Sequence, residues 1–186
     1  KIPLTYLLGD EGMGYFNSAY TIYAWLYMIS TAGLPIGVSI LISEADAAGD
    51  HRRASRVTCV ASVLLLTLGT VTTAFMFVCS RMIATLLGSP DAAYCMIAIA
   101  PTLFFICVSS LFRGYFQGYQ CMVPTAVSQL LEAIGKLALG LLFARIALRG
   151  GKPLPVVGAF AILGVTVGTA FSTLYLGIRF LLTRSK

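Results

Sequence analysis

Five residues in one stretch have the types and spacing to handle charge inside an apolar environment. Thr125, Gln129, Glu132, Lys136 and Gly140 stand at offsets of 0, 4, 7, 11 and 15. At about 100° per residue of an α-helix they fall on one narrow stripe. Glu132 and Lys136 are four apart with the acid N-terminal, the order that favours an ion pair within a helix. Such a pair either neutralises itself and holds packed helices together, or offers a carboxylate and an ammonium to an ion or a polar substrate. Ionisable groups among apolar spans are costly to keep and are functional by default.

Other chemistry is absent from the sequence. The one histidine, His51, stands beside Arg52 and Arg53 and reads as a solvated loop residue. It completes no nucleophile–base set, and there is no Walker A loop and no HExxH. We expect no enzyme and no ATP hydrolysis, so transport would draw on an ion gradient, the membrane potential or the substrate's own gradient. Cys59, Cys79, Cys95, Cys107 and Cys121 form no CxxC pair. Most lie in apolar runs, where cysteine acts as a small hydrophobe. No disulfide, metal site or cofactor is expected.

The elements that position the stripe follow from composition. The 186 residues are 58% hydrophobic and 11% charged, against about 25% charged in soluble domains. A surface so poor in charge predicts an all-α, polytopic helical membrane protein. A spanning helix needs about 20 apolar residues. Runs at 12–43, 57–80, 92–112, 122–144 and 153–178 meet that length, and residues 1–8 read as the tail of a further helix. These form a single bundle, expected to be part of a larger transporter. The net charge is +6. Most basic residues fall between runs, which suits anionic lipid rather than nucleic acid.

The first run exceeds one straight span. Gly33 and Pro35 predict a hinge, since proline removes a backbone donor and crowds the preceding turn. Tyr20, Tyr23, Tyr27 and Thr31 share a face, as an interfacial aromatic belt or as the wall of an aqueous cavity. Residues 113–121 read as a short glycine-rich turn, with Arg113 at the lipid headgroups and Gln117 beside it. There Gly114 and Gly118 are weak evidence for helix packing. Gly158, Gly164, Gly168 and Gly177 in the last run better suit close helix contact. Arg52, Arg53, Arg56, Arg113, Arg179, Arg184 and Lys186 gather on one side, against Arg81, Arg145, Arg149 and Lys152 on the other. The richer side is expected to be cytoplasmic.

The strings IPLTYLLGDEGMGYFNSAY, STAGLP, RGYFQGYQCMVPTAVSQLLE and LGVTVGTAFSTLYL resemble the polysaccharide-biosynthesis, stage V sporulation protein B-like branch of the MOP flippase superfamily, which includes MurJ-type lipid II flippases. The resemblance covers nearly the whole chain. It implies a MATE/MurJ-like pair of lobes around a cationic cavity in the bacterial cytoplasmic membrane, with residues 1–8 and the five runs as the first to sixth helices of the N-terminal lobe. The implied substrate is a polyprenyl-pyrophosphate-linked sugar, moved by alternating access while its tail stays in membrane lipid. Lys1 and Lys136 take places where the family commonly has basic residues, and are expected to be the basic residues within the membrane.

A pyrophosphate needs cationic or amide donors, and Lys1, Thr125, Gln129, Glu132 and Lys136 are the candidate cavity residues. Two rival readings use the same residues differently. A MATE-type exporter would use Glu132 as the carboxylate for a proton or sodium coupling ion, in an acidic or apolar cavity. A non-transporting scaffold would need long soluble loops, and those between the runs are short.

Overall fold

The computed structural model describes residues 13, 14, 17, 20–22, 24, 25, 27, 28, 34–86 and 93–184. Lys1, Gly33, Tyr23, Thr31 and the helix tail at 1–8 lie outside the described residues. Five bounded helices follow in order: α1 Leu34–Ala47, α2 His51–Leu86, α3 Ala93–Gly118, α4 Met122–Arg149 and α5 Leu154–Arg184. The described residues between 13 and 28 are helical too, and no strand occurs among the described residues. The protein is an all-α polytopic membrane protein. Three helices, α2, α3 and α5, are long and apolar enough to cross a bilayer. At 1.5 Å per residue, α4 with its 28 residues reaches about 42 Å, but it carries Glu132 and Lys136.

The helices outrun the apolar segments because their ends are set by caps. Three ends have the same form. At Gly49, Gln120 and Gly151 the backbone turns left-handed, with φ of 68°, 56° and 63°. The following amide reaches back five residues: Asp50 N–H to the Ala45 carbonyl, Cys121 N–H to Phe116, and Lys152 N–H to Ala147. This is the Schellman closure, which satisfies carbonyls that the helix leaves open. Asp50 then caps α2 by accepting the Arg53 amide at 3.0 Å. His51 is therefore the first residue of a helix, and residues 113–118 continue α3 instead of forming a turn.

Central position falls to α3, which packs against α1, α2 and α5. Of the spanning segments of α2, α3 and α5, 17%, 67% and 61% are buried, so α2 lies on the rim with Val60, Val63, Val71, Phe75 and Val78 outward. Pro101 interrupts the ladder of α3. Hydroxyls from neighbouring helices serve the carbonyls beside it: Thr166 donates to Ala98 at 3.0 Å and Thr73 to Ala100 at 3.3 Å.

Glycines set the closest approaches. A Cβ on Gly168 would stand 2.7 Å from the Lys136 backbone nitrogen and 2.8 Å from the Gly135 carbonyl carbon. One on Gly164 would overlap the backbone at Leu139 and Gly140. α4 and α5 therefore meet backbone to backbone. Gly177 meets only the Phe112 ring, at 3.8 Å. Gly114 and Gly118 also pack helices, contrary to their reading as turn residues. A Cβ on Gly114 would lie 2.9 Å from the Pro35 carbonyl oxygen, and one on Gly118 2.7 Å from the Ile42 Cβ. The small pair seats α3 on α1.

Candidate functional site

On α4 the stripe divides between core and edge. Thr125, Glu132 and Gly140 are buried, Lys136 is half-buried and Gln129 is exposed. Leu130, Leu131, Ile134 and Leu137 cover the opposite face and are exposed. The glycine seam with α5 holds the stripe in place. Ser172 of α5 adds a tie, donating to the Ser128 carbonyl at 2.8 Å.

Glu132 is the hub of an ion triplet. Its Oε1 accepts from Lys136 Nζ at 2.6 Å, the expected pair within the helix. Its Oε2 accepts from Arg113 Nη2, also at 2.6 Å, across from α3. Arg113 Nε further donates to Ser128 Oγ at 3.3 Å, and Ser128 donates to the Thr125 carbonyl at 2.7 Å. Arg113 is only 7% exposed. This corrects two expectations. Arg113 is a buried helical residue and not part of a turn, and Lys136 is not alone among the described residues as an interior base. Because the helix runs on to Gly118, Arg113 stands more than a turn before its end and faces inward. The backbones of α3 and α4 meet at few points, so the long arms of Arg113 and Glu132 close a gap that short side chains would not.

Beside the triplet lies a polar cavity of about 260 Å3, lined by Tyr27, Pro35, Ile36, Ser110, Arg113, Gln117 and Gln129. Pro35, Arg113, Gln117 and Gln129, scattered over the sequence, are thus brought to one wall. Gln117 belongs to this cavity and not to a turn. Tyr27 joins cavity and triplet, since the Lys136 ammonium sits 5.6 Å from its ring centre, within range of a cation–π attraction. This places Tyr27 on a cavity wall. Two buried hydroxyls, Ser110 Oγ and Thr125 Oγ1, have no hydrogen-bond partner among the described residues. Ser110, fully buried, was not singled out from sequence. The signal was present: Ser110, Arg113 and Gln117 are spaced three and four apart, so a polar helical stripe continues past Phe112.

Fold and site together define a polytopic helical membrane protein with a charged polar site among its described helices. The chain belongs to the polysaccharide biosynthesis protein family, whose model matches residues 1–186. It is 32% identical over 181 residues to Stage V sporulation protein B of Bacillus subtilis, covering 97% of this chain and 35% of that protein. It is 30% identical over 142 residues to the Lipid II flippase MurJ of the same organism, covering 72% and 26%. The uncharacterized membrane protein YabM, also of Bacillus subtilis, is 24% identical over 177 residues, covering 95% and 32%. The chain thus spans about a third of the length of these relatives. No solved structure matches it significantly.

Proposed function

We propose that the protein containing this chain is a flippase. It moves an undecaprenyl-pyrophosphate-linked cell-wall or polysaccharide precursor across the bacterial cytoplasmic membrane by alternating access, and this chain supplies most of one lobe. The carrying observation is the site itself: two buried or half-buried cations share one carboxylate beside a cavity lined by amide and hydroxyl groups. Among the described residues the formal charge there is +1, from Arg113 and Lys136 against Glu132. An anionic headgroup is attracted to such a site, and guanidinium and ammonium are the usual donors to phosphate. Sites near the midplane of packed helices are the common arrangement in transporters. The name of one relative, a lipid II flippase, agrees with this substrate class.

A cation exporter is the second reading. It needs a carboxylate free to take a proton or sodium ion, whereas Glu132 is held by two cations at 2.6 Å each. The test is complementation. The full-length protein is expressed in a bacterium depleted of its resident lipid II flippase. Growth should return, with lipid II becoming accessible at the outer surface. Purified protein that exports organic cations on a proton or sodium gradient, and moves no lipid-linked sugar, would establish the exporter instead.

A further inference from the structure

We infer that Glu132 is a built-in competitor for the substrate: its carboxylate occupies the place of a phosphate between Arg113 and Lys136, and an incoming phosphate or pyrophosphate displaces it. The inference rests on the transport reading above. It adds the group recognised by these two cations and the event that binding sets off.

The geometry supplies the first argument. Glu132 uses its two oxygens separately, Oε2 on the Arg113 guanidinium and Oε1 on the Lys136 ammonium, both at 2.6 Å. Carboxylate and phosphate both present paired anionic oxygens to such donors, which is why arginine binds both in the same forked manner. A position chelated by these two cations therefore already has the form of a phosphate edge.

Charge supplies the second. A structural pair needs one cation for one anion, and Arg113 with Glu132 would be neutral. Lys136 gives the same carboxylate a second cation, so Glu132 can leave Arg113 and stay paired. Arg113 is then open to an incoming anion without the carboxylate being stranded.

The third argument is the unfilled hydrogen-bonding capacity beside Arg113. The adjoining cavity of about 260 Å3 is lined by Ser110, Gln117 and Gln129, all able to donate to anionic oxygens. Ser110 is fully buried, yet its hydroxyl has no partner among the described residues. Buried hydroxyls are normally satisfied, and a ligand oxygen in the cavity would satisfy this one. Binding and release then become an exchange. Phosphate enters as Glu132 leaves Arg113, and the returning carboxylate expels phosphate on the other side of the membrane.

The experiment titrates the full-length protein, in lipid nanodiscs, with farnesyl pyrophosphate by calorimetry, with farnesol as the phosphate-free control. Glu132→Gln removes the competitor and keeps the shape. It should bind farnesyl pyrophosphate roughly tenfold more tightly, and its transport of lipid-linked sugar should slow because release loses its driver. Arg113→Gln should bind it about tenfold more weakly, and farnesol binding should not change in either variant. A folded Glu132→Gln protein with equal or weaker affinity overturns the inference. So does an Arg113→Gln protein that binds like the parent; since this variant keeps the neutral Glu132–Lys136 pair, it decides the matter alone should Glu132→Gln fail to fold. Tighter binding by Glu132→Gln in a protein that flips no lipid-linked sugar supports the competitor and refutes the flippase. Flipping without that gain refutes the competitor alone.

Discussion

Two polar faces of the same helix solve the membrane problem in opposite ways. Towards α5, α3 presents Thr102 and Ser109, seven residues apart, which meet Thr166 and Thr173 with the same spacing, each pair at 2.7 Å. Thr166 also donates to the Ala98 carbonyl and Thr173 to the Phe105 carbonyl. This face is neutral and closed. Towards α4, α3 presents Ser110 and Arg113, with Gln117 on the cavity wall. There one carboxylate serves two cations, a cavity opens beside them, and the Ser110 hydroxyl lacks a partner among the described residues. A seven-residue repeat of small hydroxyls brings helices close and satisfies every group it buries. Long charged side chains across a gap leave capacity over, which is what a binding site requires.

The charged face should break hardest. Glu132→Ala leaves Arg113 and Lys136 without their shared partner and should cost about 3–5 kcal/mol, the usual result of stranding a buried charge. Restoring balance with Glu132→Ala/Arg113→Ala should recover much of that loss, since Lys136 is 27% exposed along its side chain and can reach towards water. Lys136→Ala should be the mildest single change, because the Arg113–Glu132 pair survives. Denaturant titration of the full-length protein in mixed micelles measures these three and the Arg113→Ala single change. Additive effects of Glu132 and Arg113 would show that the contact across the gap carries no coupling.

The glycine seam behind α4 comes next. Gly168→Ala would push a methyl into the backbone of Gly135 and Lys136, which cannot swing aside as a side chain can. Overpacking of this kind typically costs about 1–3 kcal/mol. It should also weaken substrate binding, since the same backbone carries Lys136. Gly177→Ala meets only a ring edge at 3.8 Å and should leave stability and binding unchanged under the same titration. Equal effects at the two glycines would mean that α4 and α5 do not approach as closely as this seam requires.

What was legible in the sequence follows from the range of each signal. The Glu132–Lys136 pair and the α4 stripe were visible because they depend on spacing within one helix. Membrane class was visible from composition. Arg113 was misplaced because the third run was ended where apolar residues stop, at 112, whereas the helix ends at the Gln120 closure. Its left-handed residue is a glutamine with φ of 56°, so the usual glycine signal at that position is missing. The glycines that are present, Gly114 and Gly118, serve packing on α1 and so imitated a turn. The gap between the first two apolar runs misled similarly, since only 48–50 lie between helices. The partnership of Arg113 with Glu132 joins two helices, and no spacing rule within either one reports it.

The smallest effect separates the two faces most cleanly. Thr102→Val keeps shape and removes one hydroxyl from the closed face. Thr166 retains its bond to the Ala98 carbonyl, so the loss should be about 0.6 kcal/mol, the average for hydrogen bonds between membrane helices, with no effect on substrate binding. Ser110→Ala removes a buried hydroxyl that has no partner among the described residues. Nothing within the described bundle is lost, and deleting an unsatisfied buried group is neutral or mildly stabilising. Stability should therefore hold or rise slightly, while affinity for a pyrophosphate lipid falls because one donor to its oxygens is gone. The two substitutions separate on both readouts: the first lowers stability and leaves binding unchanged, the second keeps stability and lowers affinity. A Ser110→Ala protein that loses stability with unchanged affinity would place Ser110 with the structural hydroxyls and take it out of the site.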